Sequence, residues 1–312
     1  MKTAALPLEP RLEALQNPLQ RYLLATRPAF LSITVVGILL GFALTPSINL
    51  LLATATLLLA LLAHAGINVL NDYYDEQNGT DRANQERLFP FTGGSRFIQN
   101  GVLSASQMLA WGLVLFAVVI AGGLWLIKDC GPQLFWVGLA GLLIGWAYSA
   151  PPLKLNSRGM GELCVFAGFM LIVLGTVIVQ GSALTPAVLW AGAPYALLVT
   201  NVLYMNQFPD RSADLACGKR HWVARLPAQQ AAYGYPLIVA LTALAIAIPV
   251  WQGVLPTLTL LALPTLLPAV AASRALLRDA TTPRLLTPAI KQTLATAHLV
   301  PLIMALCLTL AA

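Results

Sequence analysis

Apolar runs of close to 20 residues alternate with short polar stretches along the whole chain. About 20 apolar residues in a helix cross ~30 Å of hydrocarbon. The runs near 28–45, 50–72, 106–127, 132–150, 161–181, 186–208, 232–250, 253–273 and 292–311 predict nine spans. They read as helices, because a membrane-crossing strand needs only about 10 residues. The predicted fold is all-α, a polytopic bundle of nine transmembrane helices. Its eighth run carries Pro256, Pro264 and Pro268. Proline removes a helix N–H and crowds the preceding turn, so a kink or break is expected there. Residues 1–27 hold Pro7, Pro10 and Pro18 and lack an apolar core, unlike a secretory signal. Within them Arg11, Leu12, Leu15, Leu19, Tyr22 and Leu23 predict a short helix lying on the membrane surface. The chain divides into a cytoplasmic or interfacial segment, 1–27, and one transmembrane domain, 28–312.

Composition agrees: 58% of residues are hydrophobic and 10% charged, against about 25% charged in a soluble domain. Charge position sets the topology. With the N-terminus in the cytoplasm, every Lys and Arg except Lys128 falls on the inner side, as does every acid except Asp129. This is the asymmetry of the positive-inside rule. The net charge of +6 then belongs to one face. That face suits anionic lipid or an anionic substrate as partner, rather than nucleic acid. Cys130, Cys164, Cys217 and Cys307 are too scattered for a disulfide framework or a zinc site. His64, His221 and His298 are equally dispersed and read as ordinary interfacial or packed residues.

Two acidic clusters break this pattern. One ends the second run: Asn68, Asn71, Asp72 and Asp75, with Asp81 following in a Gly79-Thr80-Asp81 turn. The other ends the sixth: Asn206, Asp210 and Asp214, followed by Gly218-Lys219-Arg220. Spacings of three and four place such side chains on one helix face. Carboxylates with amide oxygens are hard ligands that suit Mg²⁺ and, through it, phosphate. The paired cations Lys219 and Arg220 fit the same anion. The equivalent positions of the clusters read as a weak repeat of four helices plus four, with a ninth added, or as chance similarity. Repeat interfaces in membrane proteins commonly form the site. Tyr148 ends the fourth run before Pro151-Pro152 and Lys154. It is either an interfacial anchor or a π-face for a cation. Arg27 and Arg96, the latter after Thr92-Gly93-Gly94-Ser95, are either positive-inside anchors or anion ligands.

Asn71-Asp72-Tyr73-Tyr74-Asp75 with Asp81, and Asp210 with Asp214, resemble the two aspartate-rich motifs of the UbiA superfamily of intramembrane prenyltransferases. Together with Thr92-Gly93-Gly94-Ser95 and the Asn206–Arg220 pattern they look most like its MenA type. That resemblance implies Mg²⁺-dependent transfer from a polyprenyl diphosphate to an aromatic acceptor, 1,4-dihydroxy-2-naphthoate, in menaquinone biosynthesis. It implies an active site facing the cytoplasm in a bacterial inner membrane. Asp72, Asp75, Asp81, Asp210 and Asp214 would bind the metal, with Asn68, Asn71 and Asn206 assisting. Lys154, Lys219 and Arg220 would neutralise the leaving diphosphate, and Tyr148 would stabilise the allylic cation. His221-Trp222 departs from the expected Thr-Leu run and leaves the acceptor open: 4-hydroxybenzoate, homogentisate and a lipid-like alcohol are the other readings. A cation or metabolite transporter is the reading from another class, since it also uses intramembrane Asp and Asn.

Overall fold

The computed structural model describes residues 8–311. After a 3₁₀ turn at Leu12–Ala14 come α1 (Pro18–Ala25), α2 (Pro28–Phe42), α3 (Leu50–Gln77), α4 (Thr80–Ala83), α5 (Ala105–Cys130) and α6 (Pro132–Ser149). Then follow α7 (Gly161–Val179), α8 (Pro186–Ala216), α9 (Trp222–Arg225), α10 (Ala228–Ala231), α11 (Gly234–Trp251), α12 (Leu267–Asp279) and α13 (Thr287–Ala311). Among the described residues there is no strand. The ends carry ordinary start signals. Pro opens α1, α2, α6 and α8, where its missing N–H costs nothing. Asn49 caps α3 through its side-chain oxygen, and Ser104 with Gln107 forms a capping box on α5.

Among the described residues seven helical stretches are long and apolar enough to cross a membrane, or eight if the bent α1–α2 pair counts as one. The protein is thus a multi-pass membrane protein. Each of the nine predicted runs is helical over most of its length, but α2 has only 15 residues and α6 has 18. The proline-rich eighth run changes geometry rather than breaking: 3₁₀ turns over Thr257–Leu266 pass directly into α12 within one span, Thr257–Asp279. The N-terminal surface helix is shorter than expected. Pro18 separates the 3₁₀ turn from α1, and α1 meets α2 at 57°.

Two helices overrun their predicted ends. At 1.5 Å per residue, the 28 residues of α3 and the 31 of α8 reach ~42 and ~46 Å, well beyond the ~30 Å apolar layer. Both acidic clusters ride on these extra turns, still helical. The bundle is organised around α8, whose apolar window is 72% buried, against 22% in α3 and α5. The outer helices therefore turn most of their apolar surface to lipid, and α8 turns its surface to the other helices. Tyr195 of α8 is fully buried and donates to the Ile33 carbonyl at 3.1 Å. Its ring lies against Gly37, where any Cβ would collide with it. That close approach joins α2 to the hub.

Candidate active site

A cavity of about 670 Å³ runs between α3, α5, α6, α7 and α8, within the range of ligand sites. One end is polar and is walled by both clusters. The other is an apolar limb that reaches Leu126, Leu134 and Val179. Along α6 the step from Tyr148 to Leu134 is 14 residues, or ~21 Å.

At the polar end Asn68, Asn71 and Asp75 of α3 face Asn206, Asp210 and Asp214 of α8, with Asp81 of α4 between them. Lys219 joins the sets: its Nζ lies 2.7 Å from Asp75 Oδ1 and 3.4 Å from Asp214 Oδ1. Lys219 is buried. Burial disfavours its charge, but Asp75 and Asp214 outweigh this and raise its pKa, so it remains an ammonium. Arg27 lines the cavity and pairs with Asp72. Asp81 shows the reverse balance: burial, then the charges of Asp75 and Asp72, raise its pKa well above the ordinary carboxylate value.

The segment 84–103 closes over this end. Asn84 Nδ2 donates to Asp210 Oδ1, the Gly93 N–H reaches Asp210 Oδ2 at 3.4 Å, and the Ser95 N–H reaches Asp72 Oδ2 at 3.1 Å. Gly93 and Gly94 have φ of 76° and 74°, a region open to glycine. A Cβ on Gly94 would collide with the Asp81 carboxylate.

The expected site residues separate into two groups. Asn68, Asn71, Asp75, Asp81, Tyr148, Asn206, Asp210, Asp214, Lys219 and Arg27 line the cavity. Asp72 is buried behind the wall, held by Arg27 and Ser95. Arg96 is buried in the segment 84–103 and donates to the Asp81 carbonyl rather than facing the cavity. Lys154 and Arg220 do not line it either. Arg220 is exposed, and its backbone N–H bonds Ser157 O at 2.8 Å. Lys154 leads out of the Pro151-Pro152 turn into the 3₁₀ turn Leu155–Arg158, with φ of 43°.

Two histidines read from the sequence as ordinary line the cavity. His221 Nε2 lies 2.9 Å from Asp214 Oδ2, while its Nδ1 caps α9 by accepting from the Ala224 N–H at 3.3 Å. His64 contacts Thr34 Oγ1 at 2.7 Å. The unexpected neighbour Trp222 is exposed and stacks with Arg225, whose guanidinium lies 5.7 Å from the ring centroid. Sequence reasoning also missed Asn84 and Gln207, both buried in the wall. Gln207 adjoins Asn206, which was one available signal. Asn84 has no such neighbour, because folding of the loop alone brings it to Asp210.

Among the described residues no three His, Cys, Asp or Glu side chains stand close enough together to hold a metal ion. Arg27 and Lys219 neutralise the acids instead. However, four buried oxygens at the wall accept no hydrogen bond: Asp81 Oδ2, Asn84 Oδ1, Asn206 Oδ1 and Gln207 Oε1. Buried acceptors are normally satisfied. Hard oxygens lacking a positive partner fit a hydrated divalent cation that shares its coordination with a phosphate.

The model of the UbiA prenyltransferase family matches residues 30–307. The chain belongs to that family. It is a prenyltransferase, similar in sequence to the naphthoate-using type. The 1,4-dihydroxy-2-naphthoate octaprenyltransferase of Escherichia coli is 30% identical over 66% of this chain and 68% of its own length. The Haemophilus influenzae enzyme of that name is 28% identical over 70% and 72%. The Bacillus subtilis one is 27% identical, and the match spans 62% of each chain. The fold is shared with a solved UbiA homolog from Archaeoglobus fulgidus bound to GPP and Mg²⁺, at a TM-score of 0.59 and 16% identity over 91% of this chain and 99% of that one.

Proposed function

We propose that the protein transfers a polyprenyl group from its diphosphate to an aromatic acceptor, 1,4-dihydroxy-2-naphthoate, with Mg²⁺, in menaquinone biosynthesis. The observation that carries this reading is the cavity itself. Acidic sets from α3 and α8 meet with Lys219 at one end, and an apolar limb runs ~21 Å from there. A diphosphate joined to a long apolar tail has that shape and polarity. The sequence similarity to naphthoate prenyltransferases supports the acceptor. The distribution of Lys and Arg supports nine spans, a cytoplasmic N-terminus and a cavity mouth facing the cytoplasm of a bacterial inner membrane.

In this reading Asp75, Asp81, Asp210 and Asp214, with Asn84, Asn206 and Gln207, hold Mg²⁺. The ion supplies Lewis-acid stabilisation of the departing diphosphate. Arg27 and Lys219 neutralise the diphosphate oxygens directly. Asp72 acts from behind the wall by orienting Arg27. Lys154 and Arg220, being outside the cavity, take no part in neutralising the leaving group. The allylic C–O bond breaks, and the ring of Tyr148 faces the positive carbon with its π-electrons. The acceptor ring attacks that carbon and forms the new C–C bond, and the proton displaced from the ring passes to the departed diphosphate. The apolar limb holds the tail and keeps water from the cation.

Purified protein in lipid, given geranyl diphosphate and each acceptor in turn, tests the reading by product mass. The expected result is a prenylated naphthoate product that disappears with EDTA and returns with Mg²⁺. Product from 4-hydroxybenzoate with none from the naphthoate overturns the acceptor. Full activity in folded Asp75→Ala or Asp210→Ala protein overturns the site.

A further inference from the structure

The segment 84–103 touches both acidic clusters through Asn84, Gly93, Ser95 and Arg96. It contains four left-handed residues, Gly93, Gly94, Arg96 and Gly101, and no helix or strand. Its own backbone bonds form only local turns, so its placement over the site rests on what it packs against. Its outer side carries Arg87 and Arg96, two like charges close enough that Arg87 disfavours the charge on Arg96, second only to burial. Asp81, then Glu9 and Glu76, offset the charge on Arg96, and of these Glu9, from the N-terminal segment, also pairs with Arg87. Glu9 Oε1 accepts from Arg87 Nε at 2.7 Å, and Glu9 Oε2 accepts from Asn100 Nδ2 at 3.2 Å. Glu9 Oε2 also stands 3.9 Å from Arg96 Nε. The Asn100 amide spans onward to the Pro10 carbonyl at 3.0 Å. A few residues later Leu15 is buried in one apolar cluster with Phe97, Val102 and Leu103.

We infer that Glu9 is a positioning residue for the reaction: it clasps the segment 84–103 from outside and so holds Gly93, Ser95 and Asn84 on the acids of the diphosphate site. The route is continuous. Glu9 draws in Arg87, and an Arg87 side-chain N–H donates to the Asn84 carbonyl. The Asn84 side chain then meets Asp210. Arg96 joins Glu9 to the Asp81 carbonyl by a second path. The N-terminal segment, which the sequence places on the membrane surface, thereby becomes part of the donor site. Burial alone would raise the pKa of Glu9, but its bonds to Arg87 and Asn100 lower it. At neutral pH the clasp is charged.

The test is Glu9→Gln in the full chain, read in two ways. Hydrogen exchange of the backbone amides over 91–97 reports the clasp without any substrate. Steady-state transfer with geranyl diphosphate and the naphthoate reports its use, and this arm rests on the function proposed above. A charge-assisted bond of this exposure is worth about a fivefold change. Exchange over 91–97 should rise by about that factor. The KM for geranyl diphosphate should rise similarly, with kcat and the acceptor KM unchanged. Glu9→Asp should retain most of the wild-type behaviour. Arg87→Ala should act like Glu9→Gln, and the double variant should be no worse than either. Unchanged exchange in Glu9→Gln overturns the clasp. Faster exchange with an unchanged donor KM overturns its role in the site. Absence of transfer by the wild-type protein would instead strike the proposed function, while the exchange measurement would still decide the clasp.

Discussion

Replacing Lys219 with Met leaves two carboxylates facing each other with no cation between them. Its Nζ stands 2.7 Å from Asp75 and 3.4 Å from Asp214, and its side chain is only 10% exposed. At an effective dielectric near 20 these separations correspond to about 6 and about 5 kcal/mol of gross attraction. Desolvation of the three charges offsets much of that, and removal of one partner from a buried ion pair costs about 3–5 kcal/mol. For a chain of this length that is a fall in Tm of roughly 5–8 °C. Thermal unfolding of detergent-solubilised protein in EDTA measures it. Adding Asp75→Asn removes one of the stranded charges, so the double variant should regain part of the lost Tm while gaining no transfer activity. A wild-type Tm in Lys219→Met would refute the reasoning. So would a double variant less stable than the single one, because loss of packing rather than charge would then explain the effect.

Four other substitutions test the rest of the reasoning. His221→Ala removes both the partner of Asp214 and the cap of α9, and should cost about 1–3 kcal/mol in thermal unfolding together with a loss of transfer rate. Gly94→Ala places a methyl against the Asp81 carboxylate, whereas Gly101→Ala, also at positive φ, meets nothing within 4 Å. Both should lose about 1–2 kcal/mol to backbone strain, but only Gly94→Ala should also lose at least about tenfold in transfer rate per folded molecule. Asp81 has a folded pKa raised by burial and by Asp75 and Asp72. Its contribution to stability is therefore fully present below the unfolded value near pH 4 and is lost as pH rises through the folded value. In EDTA, Asp81→Asn should flatten that loss and raise Tm at neutral pH while lowering Mg²⁺-dependent activity. A Tm difference that does not change with pH would contradict this.

Much of the molecule was legible before folding was considered. Apolar runs near 20 residues have few alternatives to membrane helices, since unpaired backbone groups are too costly in hydrocarbon. Asn71, Asp75, Asn206, Asp210 and Asp214 followed from helical spacing, because residues three and four apart share a face whatever the helix packs against. The expected residues that do not line the cavity, and the one that sequence reasoning passed over, share a cause. Lys154 and Arg220 stand in loops, where neighbouring residues in sequence do not share a direction. Asp72 has the spacing of a cavity residue, but Arg27 holds it behind the wall. His221 looked like a local departure from the resemblance, and its partner Asp214 lies seven residues back on the last turn of α8, across a turn whose course the spacing does not give.

The sequence by itself determined the all-helical membrane-crossing class, the pairing of two acidic clusters and the family, because each depends on local periodicity or on adjacent residues. Only the tertiary structure decided which charges meet. Lys219 joins Asp75 to Asp214, Asn84 reaches Asp210, and Glu9 holds Arg87 and Asn100. These contacts depend on where a loop without regular structure comes to rest. That placement is set by packing against α3 and α8 and by the charges it must neutralise there, and no periodicity in the chain encodes it.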